Sequence, residues 1–177
     1  LTLADEWVEV LLDDVSIGAP VAATPYAQYD FESNLTDSAG SSDGTGVGSP
    51  TYSATFVPSG TGQAINLNGT SQRVTLPSGV ANTDDITVAT WVDWDDTIND
   101  PDWSRIFDFG TGSPTATTGA YMMLTPGSGG NLLRFAITPG GFDNEQFLET
   151  TALSQNTPTH VAVTLNGDVG TLYVNGI

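Results

Sequence analysis

The amino-acid sequence predicts an all-β fold. Short stretches alternate between apolar and polar residues, which is typical of strands with one buried face. Gly and Pro are frequent, with 20 and 10 residues in a chain of 177, whereas segments with a helical period are scarce. Many short strands separated by polar turns predict a sandwich or a barrel.

Strand candidates follow one another at short spacing from residue 26 onward, separated by turns rich in Gly, Pro, Asn, Asp and Ser. They are the segments 26–31, 51–56, 64–67, 73–76, 86–94, 105–110, 121–126, 132–138, 146–151, 160–165 and 171–174. The apolar run YMML at 121–124 fits either a buried strand or a short helix. Because Pro126 and Gly127 follow at once, we predict a strand there.

The alternation is clearest in ITVATWVDW, residues 86–94. Ile86 and every second residue after it point to one side, whereas Trp91 and Asp93 point to the other. Residues 160–174 predict a hairpin, because two β-branched runs flank the turn NGDVG. The residues expected in the core are Val88, Trp91 or Val92, Phe107, Phe109, Leu124, Phe135, Ile137, Val161, Val163 and Leu172.

The charge balance is strongly acidic and limits the partners. Three Lys and Arg residues stand against 21 Asp and Glu residues, which gives a formal net charge of −18. Such a chain repels phosphate backbones, so we expect neither nucleic acid nor anionic membranes as partners. No apolar run reaches the roughly 18 residues of a membrane span. Cysteine is absent, so disulfides and thiolate sites are excluded.

Several motifs, taken in order, resemble a laminin-G-like domain of the concanavalin-A-like lectin/glucanase superfamily. They are YDFE at 29–32, DSAG at 37–40, GQAINLNG at 62–69, a Trp followed by a polar loop and RIFDFG at 105–110, THVAVTL at 159–165 and LYVNG at 172–176. The resemblance covers residues 26–177. It implies a jelly-roll β-sandwich of two antiparallel sheets, and a location outside the cell or at its surface.

The resemblance also divides the chain. Residues 1–17 are expected to be the terminal strand of a preceding module or an added strand, and residues 18–25 a Pro- and Ala-rich linker. From the resemblance we expect residues 26–177 to form the domain itself, without the final strands that laminin-G-like domains usually have. We hypothesise that the segment from Val10 to Ile17 fills the vacant edge, in the same molecule or in the next one by head-to-tail self-assembly. The alternative is a segment cut from a longer chain.

Acidic residues suggest calcium as the candidate cofactor, because Ca²⁺ takes six to eight oxygen ligands. One candidate group lies in the loop after Trp94 and consists of Asp95, Asp96, Asp100 and Asp102. The resemblance implies a second group near the first strand: Asp30, Glu32 and Asp37. A solvated loop is the alternative for the first group, and an Asx-turn at DSAG competes for Asp37.

The candidate ligand-binding residues are Trp94, Trp103 and Arg105. Flat aromatic rings can stack on sugar rings while polar groups fix hydroxyls. The alternatives are aromatic packing in the core and pairing of Arg105 with a nearby carboxylate.

These observations predict a non-catalytic binding module of a larger extracellular protein, with a glycan or a protein as ligand. The alternative is a structural subunit of a surface layer, adhesin or filament that assembles through sheet edges. A glucanase or polysaccharide lyase is less favoured, because the chain has no Glu-x-Asp-x-Glu strand and its single histidine, His160, begins a strand. No catalytic residue is therefore expected.

Overall fold

A computed structural model describes residues 24–54, 61–95, 103–111 and 119–177. Across these ranges the chain is all-β apart from one short 3₁₀-helix at Phe142–Asn144, which confirms the predicted fold class. The strands are β1 (Thr45–Val47), β2 (Thr51–Ser53), β3 (Ala64–Asn66), β4 (Arg73–Thr75), β5 (Ile86–Val92), β6 (Phe107–Gly110), β7 (Tyr121–Thr125), β8 (Leu133–Thr138), β9 (Gln146–Thr150), β10 (Thr159–Asn166) and β11 (Val169–Val174).

The strands form antiparallel sheets. A four-stranded sheet has the order β6-β7-β8-β9, and a three-stranded sheet has the order β11-β10-β5. Two smaller ribbons pair β1 with β4 and β2 with β3. The predicted hairpin is present: β10 and β11 pair from Val161 opposite Val174 to Asn166 opposite Val169.

The two larger sheets share one core, as a sandwich requires. Val88 and Val163 from the three-stranded sheet belong to the same buried cluster as Phe107, Leu124 and Phe135 from the four-stranded sheet. The alternation predicted in 86–92 is therefore confirmed, with Val88 and Val92 facing the core. Among the other residues expected in the core, most are buried, whereas Ile137 and Leu172 are half-buried at its margin.

Trp91 lies on the opposite face of the three-stranded sheet from Val92. It pairs in register with His160, and the two rings meet edge to face at 5.3 Å. Val92, rather than Trp91, is the core residue of this pair of candidates.

One predicted strand is wrong. Residues 26–31 contribute only an isolated bridge between Tyr29 and Asp37. Phe31 and Ser33 have φ angles of 54° and 62°, in the left-handed region that interrupts a strand. The structure has a different strand, β1, that was not predicted. Its polar, Gly-containing residues show no apolar alternation.

Several predictions fall outside the described residues. They concern residues 1–17, including the segment from Val10 to Ile17, most of the linker 18–25, and the acidic residues Asp96, Asp100 and Asp102. In the described ranges, no helix has the length and apolar character needed to cross a membrane.

Candidate functional site

The four-stranded sheet has an outer face that points away from the core. Strand alternation places Asp108, Met123, Ala136 and Phe147 side by side on this face, in one row of register partners. Arg134 and Glu149 form part of the neighbouring row. Tyr121, Met123 and Ala136 make a buried cluster separate from the main core, so the centre of the outer face is itself covered by side chains.

Arg134 lies on the outer face near the beginning of β8. Its guanidinium forms ion pairs with Glu145 and, at 3.3 Å, with Glu149. Its Cζ atom lies 3.7 Å from the ring centroid of Phe147 and 5.5 Å from that of Trp103. Both distances allow cation–π attraction. Arg134 thus holds two aromatic side chains and two carboxylates in one constellation.

Both of these aromatic rings are substantially exposed. Trp103 retains 41% and Phe147 50% of its accessible surface, which is unusual for large apolar side chains beside a buried cluster. Single exposed hydrophobic residues are common on protein surfaces. Two exposed rings that contact the same arginine form a patch that can bind the flat apolar face of a ligand.

The backbone of Trp103 is strained and fixed. Its φ angle is 68°, a conformation that costs an amino acid with a side chain about 1–3 kcal/mol. The Trp103 N–H donates to the carbonyl of Gly127 at 2.8 Å, and Arg105 Nη1 donates to the Trp103 carbonyl. The indole also lies against the β7–β8 loop, since a Cβ added at Gly129 would be 3.6 Å from Trp103 Cζ2. These contacts orient the ring before any ligand arrives.

Arg105 is engaged on two sides. Its Nε donates to Asp108 Oδ2 at 3.1 Å, and both side chains are largely buried. Together with the bond to the Trp103 carbonyl, this ion pair links β6 to the loop that bears the indole. The structure therefore shows the carboxylate pairing that was the alternative for Arg105.

Tyr121 and Glu145 complete the polar part of the outer face. The Tyr121 hydroxyl donates to Glu145 Oε1, and the other oxygen of Glu145 accepts from Arg134. Burial raises the pKa of Tyr121 above its ordinary value, and the hydrogen bond to Glu145 raises it further. The phenol therefore stays protonated at neutral pH and serves as a hydrogen-bond donor.

The structure places the predicted site residues unequally. Trp103 and Arg105 meet at the outer face, as described. Trp94 instead is half-buried against the core, and its ring lies next to Gly127 on the β7–β8 loop. Trp94 and Trp103 thus contact the same loop, but Trp94 contributes to packing.

Asp37 has a structural role in this geometry. Its Oδ1 accepts from the N–H groups of Gln28, Ala39 and Gly40, and its Oδ2 from that of Ser42, all at 3.0 Å. Burial acts to raise the pKa of Asp37, but these four donors outweigh it and hold the pKa below its ordinary value. This is the Asx-turn chemistry that competed with metal ligation.

The other candidate metal ligands are dispersed. The Asp30 carboxylate accepts from the Gln28 side chain, and Glu32 accepts from the Gln63 N–H. Asp95 lies two residues after Asp93. Burial raises the pKa of Asp93, and the charge of Asp95 raises it further, whereas a hydrogen bond from the Thr157 N–H acts to lower it. Within the described ranges no three His, Asp or Glu side chains gather as a metal site would require. Calcium stays a prediction.

Sequence reasoning missed Arg134, Phe147, Tyr121 and Glu145 as site residues. The sequence gives a partial indication of Arg134, because it is one of only three basic residues and lies on the same side of its strand as the small Ala136. The meeting of Phe147 with Trp103 across Arg134 depends on the order β6-β7-β8-β9, which no local pattern specifies.

The comparisons with known proteins fit this architecture. Residues 68–177 match the Laminin_G_3 family model, described as the Concanavalin A-like lectin/glucanases superfamily. The chain therefore belongs to the concanavalin A-like lectin/glucanase superfamily, as its motifs indicated. A comparison with curated proteins gives no match.

Two solved structures are similar. One is domain 4 of AbnA, a GH43 extracellular arabinanase from Geobacillus stearothermophilus, in complex with arabinotriose; it is 22% identical with a TM-score of 0.61, and the alignment covers 86% of this chain and 71% of that one. The other is an S-layer domain-containing protein (residues 221–444) from Clostridium thermocellum ATCC 27405. It is 30% identical with a TM-score of 0.52, and the alignment covers 85% and 69% of the two chains.

Proposed function

We propose that this chain is a non-catalytic binding module that acts outside the cell or at its surface, and that it binds a glycan on the outer face of the four-stranded sheet. The observation that supports this most directly is that Trp103 and Phe147 are both exposed and that the Arg134 guanidinium contacts both rings. Sugar rings offer apolar C–H faces that pack on aromatic side chains, and their hydroxyls accept and donate hydrogen bonds at the margin.

The rigid setting of Trp103 supports the same proposal. The backbone of Trp103 is held by two hydrogen bonds and its indole packs against the position of Gly129, so the residue loses less conformational freedom when a ligand stacks on the ring. The φ angle of Trp103 is strained, and strain of this kind is common where a side chain must be presented to a ligand.

The test is glycan binding by isothermal titration calorimetry, over soluble arabinan, xylan and β-glucan oligosaccharides. We expect Trp103→Ala and Phe147→Ala each to weaken binding of the preferred glycan at least about tenfold, which corresponds to about 1.4 kcal/mol. The matched control is Tyr26→Ala, since Tyr26 is 74% exposed and lies outside the four-stranded sheet. Equal affinity of all four proteins would contradict the proposed site.

The absence of catalysis is the second part of the proposal. The Glu145 and Glu149 carboxylates at the outer face both accept hydrogen bonds from Arg134, so both are engaged by the protein itself. Incubation with the glycan that binds should release no reducing ends or unsaturated uronate. Turnover that a single substitution abolishes would refute this part.

A structural role in a surface layer is the other candidate function, favoured by the 30% identity to the S-layer domain-containing protein. Sedimentation velocity over a range of protein concentrations separates the two. A glycan-binding module gives a concentration-independent monomer that binds sugar, whereas a layer subunit gives concentration-dependent assembly.

A further inference from the structure

We infer that the outer face selects uncharged glycans and that Arg105 is a positioning residue for Trp103. This inference rests on the proposed function, because it names the class of ligand that the same face accepts.

Both guanidinium groups of the outer face already donate hydrogen bonds within the protein. Arg134 donates through Nη1 and Nη2 to Glu149 and Glu145. Arg105 donates through Nε to Asp108 and through Nη1 to the Trp103 carbonyl. Arginine recognises carboxylate or sulfate groups through its paired N–H donors. Both arginines of the outer face use such N–H groups to bind acceptors within the protein. An acidic sugar would therefore have to displace a carboxylate that is already bound to the arginine.

The charged side chains of the outer face include more carboxylates than guanidinium groups. Asp108, Glu145 and Glu149 contribute three carboxylates against the two guanidinium groups of Arg105 and Arg134. This excess has the same sign as the net charge of −18 on the whole chain. A uronate or sulfate approaching the outer face therefore meets repulsion at long range, and at short range it meets guanidinium groups that already donate to carboxylates.

Two aromatic rings of the outer face remain available to a ligand. The exposed surface of Trp103 and Phe147 is apolar and aromatic, and it attracts sugar rings without regard to charge. A neutral glycan gains this stacking and avoids the repulsion.

Arg105 affects binding through Trp103. Its bond to the Trp103 carbonyl and its ion pair with Asp108 fix the loop from which the indole projects. Without these two interactions the backbone of Trp103 should leave its strained conformation, and the indole should lose its fixed position. Glycan affinity should then fall even though Arg105 itself does not contact the sugar.

The experiment compares three ligands of similar length on the intact chain by calorimetry: a neutral xylo-oligosaccharide or arabinotriose, an oligogalacturonate, and a heparin oligosaccharide, at low and high salt. We expect the neutral ligand to bind at least tenfold tighter than either anion, with little dependence on salt. Tighter binding of an anionic glycan would overturn this inference and leave the proposed function intact. If no glycan of any charge binds, the proposed function itself fails.

Variants of Arg105 test the positioning role. Arg105→Lys keeps the positive charge but cannot form both bonds at once, and Arg105→Gln removes the charge. A positioning residue predicts that both variants weaken neutral-glycan binding severalfold, shift the tryptophan fluorescence or near-ultraviolet circular dichroism, and leave the neutral-to-anionic preference unchanged. A ligand clamp instead predicts wild-type spectra and full binding for Arg105→Lys, which would overturn the assignment.

Glu149→Gln supplies the charge control. Removal of one carboxylate from the outer face should raise the affinity for oligogalacturonate relative to the affinity for the neutral glycan. An unchanged ratio of the two affinities would contradict the inference.

Discussion

At the scale of single residues, Asp37 shows how one carboxylate can organise a loop. It is 4% exposed and accepts hydrogen bonds from four backbone N–H groups between residues 28 and 42. A buried donor that loses its acceptor costs about 1–3 kcal/mol. We predict that Asp37→Ala lowers the free energy of unfolding by at least about 2 kcal/mol, as measured by urea denaturation. Asp30→Ala, which changes an exposed carboxylate nearby, is the control and should have little effect.

The same residue predicts a dependence on pH. Because the pKa of Asp37 is lowered in the folded state, its contribution to stability is present above the unfolded pKa of about 3.9 and is lost as the pH falls through the folded value. Asp37→Asn removes this titration. The stability difference between wild type and Asp37→Asn should therefore shrink as the pH falls below about 4. A constant difference down to pH 2 would rule out this account.

The sequence indicates which residues could belong to a candidate site, but not which of them lie together. Trp103 and Arg105 were recognised as candidates because a tryptophan and a rare arginine lie close together beside acidic residues. Trp94 had the same appearance, yet it packs against the core. Exposure depends on which sheet covers a side chain, and neither residue type nor spacing contains that information.

At the scale of elements, every described strand except β1 was predicted from the sequence. Strands β5 to β8 and β10 have apolar alternation or continuous apolar runs, so burial alone specifies them. Strand β1 is held by its pairing with β4, opposite residues such as Val74, and its own sequence gives no indication. The predicted strand at 26–31 failed because Phe31 takes a left-handed conformation while its side chain is buried.

The two larger sheets are coupled by Phe135 of β8. Phe135 is 2% exposed, and a Cβ added at Gly170 of β11 would lie only 3.2 Å from its ring. We predict that Phe135→Ala costs about 3–5 kcal/mol, measured by chemical denaturation, since it leaves a cavity between the sheets. Phe147→Ala is the matched control: the same change at a half-exposed position on the adjacent strand should cost clearly less. Equal costs would contradict the assignment of core and outer face.

At the scale of the whole molecule, the N-terminal segment is the first question. The apolar run from Val10 to Ile17 is a candidate for strand addition, and in the described residues β5 pairs with β10 on one side only. If this run completes a sheet, deletion of residues 1–20 should lower the melting temperature or abolish self-association, as followed by calorimetry and sedimentation velocity. Unchanged stability and oligomeric state would assign the segment to another module.

A test of calcium binding must separate a specific site from the general effect of salt on a chain with a net charge of −18. Mutual repulsion among the carboxylates destabilises the fold, so any salt that screens charge should stabilise it somewhat. A specific site must exceed that effect: a ligand that binds only the folded state adds about 2.7 kcal/mol at one hundred times its Kd. We therefore expect millimolar CaCl₂ to raise the melting temperature more than NaCl or MgCl₂ at equal ionic strength, and Asp95→Asn to reduce this difference. Identical melting curves in calcium, in chelator and in the matched salts would show that the acidic residues act only through their overall charge.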